Sequence, residues 1–323
     1  MAAFAVVEGL TLRHIGRKTP ALRELSLRWE AGERLLVLGP SGSGKSTLAL
    51  CLNGLIPQAI DAHWESGRVA VGGRDTRDIP LAELTARVGL VFQDPEAQLV
   101  MLEVDDEIAF GLENRGIAPR EMEDRIAEAR SLVGLGPATP RWVARLSGGI
   151  KQRLAIAGVL AARPDGLVLD EPTANLDPQG ATAVMASIAR LCADRSRAIL
   201  LVEHRVDDAI LLTDRVAVLD ERGSCALSGT PAELFGAQRE RVAALGAHTP
   251  ELADLAGLLG IDALPASASD AARLLVRHWP GRTVAVRTPP QGMPLLRCEG
   301  LRYRYRGAAA TSVAVPHLDV RGG

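Results

Sequence analysis

The chain has 323 residues, with 37 Lys and Arg against 39 Asp and Glu and a formal net charge of -2. That length supports one large or two modest domains with real cores, and the near balance of charge provides no global field to draw the protein onto nucleic acid or an anionic bilayer. Cys51, Cys192, Cys225 and Cys298 lie far apart without metal-ligand spacing, and the opening Met1-Ala2-Ala3-Phe4-Ala5 lacks the charged and long apolar regions of a secretory signal. A reduced, cytosolic protein is expected. No apolar run approaches the roughly 18 to 20 residues that span a bilayer, so work on a membrane would need another chain to do the crossing.

Along the chain, the first organisational feature is a repeat. Glu8-Gly9-Leu10 recurs as Glu299-Gly300-Leu301, and the same ungapped offset pairs His14 with Tyr305, Leu27 with Leu318 and Gly32 with Gly323. The shared apolar alternation favours a true duplication over chance. Carried forward by that offset, the glycine loop at Gly39 would recur past Gly323, so the expectation is a tandem protein cut short before its second loop.

Arg34-Leu35-Leu36-Val37-Leu38 is a short apolar run suited to a buried parallel strand, and 45–54 reads as a helix that opens directly after glycines and ends at Gly54. Between them stands Gly39-Pro40-Ser41-Gly42-Ser43-Gly44-Lys45-Ser46-Thr47, which satisfies the G-x-x-x-x-G-K-[ST] pattern at Gly39, Gly44, Lys45 and Ser46. Flanked by a strand and a helix, this is a phosphate cradle rather than a surface turn. Backbone N–H groups and the helix N-terminus hold phosphates, Lys45 reaches the β and γ phosphates, and Ser46 ligates Mg²⁺. A second strand, Gly166-Leu167-Val168-Leu169, delivers Asp170 and Glu171 at its carboxyl end, where open α/β sheets bind ligands. Asp170 is expected to hold Mg²⁺, directly or through water, and Glu171 to orient or deprotonate the attacking water.

Together with Leu146-Ser147-Gly148-Gly149-Ile150-Lys151-Gln152-Arg153, these motifs resemble those of the ATP-binding-cassette (ABC) ATPases, over roughly residues 1–235. Ile150 departs from the glutamine more usual there, with the serine and glycines intact. The resemblance implies an α/β P-loop NTPase fold: a nucleotide-binding domain with an antiparallel β-subdomain and a helical signature subdomain, followed by a C-terminal helical extension. It implies ATP and Mg²⁺ as ligands. It also implies that Ser147 and Gly149 close over the γ-phosphate bound to a partner's loop, at the start of the helix running from Ile150. Ser41, Gly42 and Thr47 belong to the cradle on the same footing.

Further elements fit the same family. Gln93, in Val91-Phe92-Gln93-Asp94-Pro95, resembles the Q-loop glutamine that contacts Mg²⁺ and water and links the site to a membrane partner. Ala174-Asn175-Leu176-Asp177 resembles the D-loop that communicates across a dimer. His204, after the strand Ala198-Ile199-Leu200-Leu201-Val202, resembles the switch histidine that contacts the γ-phosphate. The aromatic that stacks on adenine in this family falls near His14, where an adenine contact and an ordinary surface histidine are both open.

Phe92-Gln93-Asp94-Pro95-Glu96-Ala97-Gln98-Leu99, the stretch from Val104 through Asn114 and the triplet Glu203-His204-Arg205 are similar to ATPase subunits of energy-coupling-factor importers of vitamins or cobalt and nickel. Those subunits work on the cytoplasmic face of the membrane with transmembrane partners, paired with a second ABC domain or as a homodimer, and without nucleic acid. A helix-rich insert at about 112–133 would dock the membrane partner's coupling helices. The alternatives are a soluble ABC ATPase acting on ribosomes or in DNA repair, and a non-hydrolysing scaffold. Residues 236–294 read as a helical extension and linker, with breaks at Ala263-Leu264-Pro265-Ala266-Ser267-Ala268-Ser269 and Thr288-Pro289-Pro290-Gln291-Gly292. The tail, 295–323, reads as two strands of a second β-subdomain lacking sheet partners, expected to be disordered or to borrow pairing from another edge.

Overall fold

A computed structural model describes residues 3–261, 264–265, 268–278, 294–303 and 313–321. Two strands open the chain, β1 (Ala3–His14) and β2 (Leu22–Glu30), followed by β3 (Arg34–Leu38), α1 (Lys45–Asn53), the short α2 (Leu55–Gln58), β4 (Ala62–Val71) and β5 (Arg74–Asp75). Then come α3 (Leu81–Arg87), β6 (Val88–Val91), α4 (Val104–Glu113), α5 (Pro119–Val133), α6 (Gly148–Ala161), β7 (Gly166–Asp170), α7 (Pro178–Ala193), β8 (Ala198–Val202), α8 (Val206–Ile210), β9 (Arg215–Leu219) and β10 (Cys225–Gly229). The remaining elements are α9 (Pro231–Phe235), α10 (Arg239–Ala244), α11 (Glu251–Leu258), α12 (Ala268–His278), β11 (Pro294–Tyr303) and β12 (Val313–Arg321).

The strands form a four-stranded sheet in the order β2-β1-β4-β5, a six-stranded sheet in the order β10-β9-β3-β8-β7-β6, and the pair β11-β12. In the six-stranded sheet β9, β3, β8, β7 and β6 run parallel, with β10 antiparallel at one edge. The central positions of its parallel strands are apolar because both faces are covered. Leu36, Leu38, Leu167, Leu169, Ile199 and Leu201 face a core shared with α4, α5, α6 and α7. Leu35, Val37, Val168, Leu200 and Val202 face the opposite core, shared with α1 and the four-stranded sheet. Parallel pairing lines up the carboxyl ends of β3, β6, β7 and β8, so the loops that follow them emerge on one edge.

Arg34 and Asp214 tie the amino ends of β3 and β9 together: the Arg34 backbone N–H and Nε donate to Asp214 Oδ2 at 3.0 and 2.9 Å. The Arg34 side chain, through its hydrogen bonds, holds the Asp214 carboxyl down at a pKa of about 2. A depressed carboxylate pKa stabilises the fold above its unfolded value and loses that contribution as pH falls through the folded value. Asp214→Asn is therefore expected to cost about 1 kcal/mol at pH 7, a figure limited by solvent screening. Thermal melts at stepped pH should find the gap between the variant and the parent closing between about pH 4 and 2.

Two expectations are corrected. The helical insert begins at Val104, earlier than 112, and is two helices, broken between Asn114 and Ala118, where Gly116 stands ahead of Pro119 at the start of α5. Within the described residues, β11 and β12 are neither disordered nor paired with a foreign edge; they pair with each other. Arg297↔Asp319 and Cys298↔Leu318 reproduce, at the repeat offset, the register Val6↔Arg28 and Val7↔Leu27 of β1 and β2. In the extension, α10, α11 and α12 fill the helical part, and Ala268-Ser269 opens a helix rather than breaking one. Tyr305 and Thr288-Pro289-Pro290-Gln291-Gly292 lie outside the described residues.

Candidate nucleotide site

The loop after β3 turns straight into α1. Gly44 sits at a φ of 87°, and a Cβ there would stand 2.4 Å from the Ala21 carbonyl oxygen, so this turn accepts only glycine. Lys45 is buried, and its Nζ donates to the carbonyl oxygens of Gly39 at 2.9 Å and Pro40 at 3.0 Å. The lysine thus curls back and braces the loop whose N–H groups line the cradle. A cleft of about 620 Å³ opens above it, lined by Ser41, Gly42, Gly44, Lys45, Ser46 and Thr47, together with His14, Gln93, Glu171 and His204. Arg17, Thr19 and Pro20 complete one wall and were not singled out from the sequence.

Asp170 ends β7, buried, and Glu171 follows at a φ of 47°, a left-handed conformation costly for a side-chain-bearing residue. The Glu171 N–H donates to the Val202 carbonyl at 2.9 Å, which fixes that turn against β8. Burial pushes the Asp170 carboxyl above its ordinary value, with a Ser46 hydrogen bond opposing it, and Asp170 Oδ1 is a buried oxygen with no hydrogen-bond partner among the described residues. Burial likewise lowers the Lys45 pKa, opposed by Glu171 and Asp170. Asp170 keeps an unsatisfied oxygen, and Lys45 hydrogen-bonds to two neutral carbonyls instead of to an anion. A divalent cation beside Asp170 and Ser46, with phosphate oxygens beside Lys45, would supply each missing partner, so the donor set fits Mg²⁺-nucleotide.

Glu171 is gripped from two sides. Gln93 Nε2 donates to its Oε2 at 2.9 Å, and His204 Nε2 lies 2.8 Å from its Oε1. His14 Nε2 lies 2.9 Å from Thr47 Oγ1, which ties the imidazole to the wall of the cleft. In the sequence Glu203 is one of the triplet Glu203-His204-Arg205, and its position in the fold explains more. Its buried carboxylate accepts from the Thr173 N–H at 3.0 Å and the Thr173 hydroxyl, and from the N–H groups of His204 at 2.8 Å and Arg205 at 3.2 Å. The turns after β7 and β8 are thereby locked together. A charge placed directly after five apolar strand residues was the available signal.

Ser147 and Gly149 lie outside this cleft. α6 starts at Gly148, two residues ahead of Ile150, with Ser147 as its exposed N-cap and the serine side chain making no cap hydrogen bond. A Cβ on Gly149 would fall 2.8 Å from Gly180 Cα, so the helix can approach α7 only with glycine there. Asp177 Oδ1 caps α7 by accepting from Gln179 and Gly180 N–H groups, both at 3.0 Å. The signature turn and the loop at 174–177 therefore pack as one unit.

A parallel sheet with a glycine loop between strand and helix, an acidic pair at the end of β7 and polar side chains converging on the cleft defines a P-loop nucleotide-binding ATPase. A family model described as ABC transporter matches residues 22–174. The chain is 45% identical over 229 residues to a putative ABC transporter ATP-binding protein of Pyrococcus abyssi, covering 71% of this chain and 81% of that protein. It is 38% identical over 250 residues to a putative HMP/thiamine import ATP-binding protein of Bacillus subtilis, covering 77% of this chain and 46% of that one. Among solved structures, cbiO1 of Clostridium perfringens, part of the ABC transporter complex cbiONQ, superposes with a TM-score of 0.65 at 31% identity, covering 81% of this chain and 100% of that one. The chain belongs to the ABC transporter ATP-binding proteins, and its cassette is an ATP-hydrolase domain. Some relatives are much longer: the matched stretch spans 43% of a Methanosarcina mazei protein.

Proposed function

We propose that the cassette hydrolyses ATP to power import of a small substrate, a vitamin or a transition metal ion, as the ATPase component of an energy-coupling-factor type transporter. The observation that carries this reading is the segment at Phe92 and Gln93. Gln93 holds Glu171, while Phe92 lines a separate cavity of about 320 Å³ beside α4 and α6, with Gln98, Phe110 and Arg115. One dipeptide thus touches both the carboxylate that would act on water and a largely apolar hollow suited to a helix from a membrane subunit. Val100, Leu102 and Trp142 add exposed apolar surface on the segments flanking α4. The import-related name of the Bacillus relative, and the place of the Clostridium cbiO1 in an ABC transporter complex, support the same class of partner. The cassette acts at the cytoplasmic face of the membrane through that partner, and among the described residues no helix is long and apolar enough to cross a membrane.

In this mechanism the loop at 39–47 binds the phosphates, Lys45 turns from its own loop carbonyls to the β and γ phosphates, and His14 borders the base. Mg²⁺, held by Ser46 and Asp170 with Gln93 alongside, would neutralise charge developing on the phosphates. Glu171 orients or deprotonates the attacking water, positioned by Gln93 and His204. Ser147 and Gly149 close on the γ-phosphate of a facing cassette, supplied by a second copy of this chain or by a second cassette opening at β11. The matching registers of β11-β12 and β1-β2 favour the latter, with domains at 1–235, 236–294 and 295–323. α6 carries closure to the membrane side: Gln152 Nε2 donates to the Phe92 carbonyl at 3.2 Å, and Lys151 pairs with Glu96.

Affinity purification of the full-length protein from its native membranes in mild detergent tests the reading. A polytopic membrane subunit and a small substrate-binding membrane protein are expected to come with it. Ribosomes or DNA-repair factors without membrane proteins would overturn it in favour of a soluble ABC ATPase.

A further inference from the structure

Residues 246–251 of the C-terminal extension lie outside the stretch that the family model matches, yet they touch the phosphate loop, the His204 ring and α8, which follows the histidine. Gly246 lies against Pro40 of the phosphate loop, where an added Cβ would be 3.5 Å from the proline Cβ. The His248 ring meets the His204 ring edge-to-face, with centroids 5.4 Å apart and planes at 89°. Glu251, the first residue of α11, donates its backbone N–H to Asp207 Oδ1 at 2.8 Å, so the side chain from α8 satisfies an otherwise orphan helix-end donor. The extension is therefore pinned on both sides of His204: to the loop before α1 and to the helix that follows the histidine.

His204 has its backbone N–H fixed by Glu203, but its ring is held within the cleft by a single polar contact, to Glu171. A terminal ring torsion is broad and its wells are shallow, so one hydrogen bond leaves the imidazole a choice of orientations. A perpendicular ring against it removes most of that choice. We propose that His248 is a positioning residue for the ATPase reaction: it holds the His204 imidazole with Nε2 aimed at Glu171, and so makes the C-terminal extension part of the catalytic assembly. His248 does not line the cleft and needs no contact with nucleotide. Its effect runs through the fraction of molecules whose His204 is aimed, which alters turnover and leaves phosphate binding by the loop untouched.

The inference rests on the assignment of His204 to turnover made above. The test is steady-state ATP hydrolysis by the full chain and its His248→Ala, His248→Phe, His204→Ala and doubly substituted variants, alongside titration with a fluorescent ATP analogue. The loss of an edge-to-face ring contact predicts a kcat about fivefold lower in His248→Ala with unchanged KM and analogue affinity, and a kcat within about twofold of the parent in His248→Phe, which keeps a ring. In the His204→Ala background, removing His248 should have no further effect, because the group it positions is gone. Equal kcat in His248→Ala and the parent, or a full additive loss in the double variant, overturns the inference. If His204→Ala itself turns over at the parent rate, the assignment of His204 fails, which is a separate and distinguishable result.

Discussion

Glu171→Gln is expected to lower ATP turnover by about 10²- to 10⁴-fold, the range for removing a general acid–base group, while ATP still binds. The substitution is nearly isosteric, and the turn that holds residue 171 depends on its backbone N–H to Val202, which the change does not touch. What changes is the acceptor pair. Oε2 receives Gln93 Nε2 and Oε1 meets His204 Nε2, and an amide can accept at only one of these positions and take no proton at neutral pH. Binding energy from the loop at 39–47 is retained, so closure proceeds and reopening stalls. Size-exclusion chromatography with ATP should find the variant accumulating as a nucleotide-bound dimer. A variant that turns over normally would remove Glu171 from the mechanism.

How far the sequence could be read depended on whether a feature was local. The strands at Arg34–Leu38 and Ala198–Val202 stood out because burial on both faces leaves an apolar run, unbroken after Arg34 in the first and throughout the second. Gly54 marked the end of α1 because a left-handed C-cap, at a φ of 83°, favours glycine. Asp170, Glu171, Gln93 and His204 could be named from motifs, and the parallel sheet explains why residues far apart in sequence meet: each follows a strand whose carboxyl end lies on the same edge. The start of α4 was harder to see. Val104, Ile108 and Leu112 recur at the spacing of one helical face, but the first turn between them is the acidic run Asp105-Asp106-Glu107, of which Glu107 folds inward to accept from the N–H groups of Val100 and Met101 at 2.8 and 2.6 Å. Glu203 leaves one trace in the sequence, a charge directly after five apolar residues, and His248 leaves none. A buried carboxylate that serves four donors on two loops, and a ring that meets another 44 positions away, exist only once the tertiary fold has brought their elements together.

Lys45→Ala is expected to abolish ATP binding without unfolding the protein. Burial lowers the lysine pKa, which means the folded state disfavours the ammonium relative to the unfolded chain, so at neutral pH that burial subtracts from stability. Against this stand its two hydrogen bonds to the Gly39 and Pro40 carbonyls, worth about 1 kcal/mol each. The two contributions oppose one another, and α1 keeps its anchors in Leu48, Cys51 and Leu52, so the melting temperature without nucleotide should move by no more than about 4 °C. With nucleotide the balance is one-sided. The phosphates would lose the cation beside the loop while Asp170 and Glu171 remain close by, and breaking one half of a buried charge pair costs about 3 to 5 kcal/mol, or roughly 150- to 4,000-fold in affinity. ATP at about 100 times the parent Kd should raise the parent's stability by about 2.7 kcal/mol and the variant's by a small fraction of that. Thermal melts of both proteins across an ATP titration check the two halves together. A variant whose melting temperature still climbs with ATP as the parent's does would show that the phosphates are held without Lys45, and a variant that collapses without nucleotide would show that the lysine is chiefly a brace for the loop.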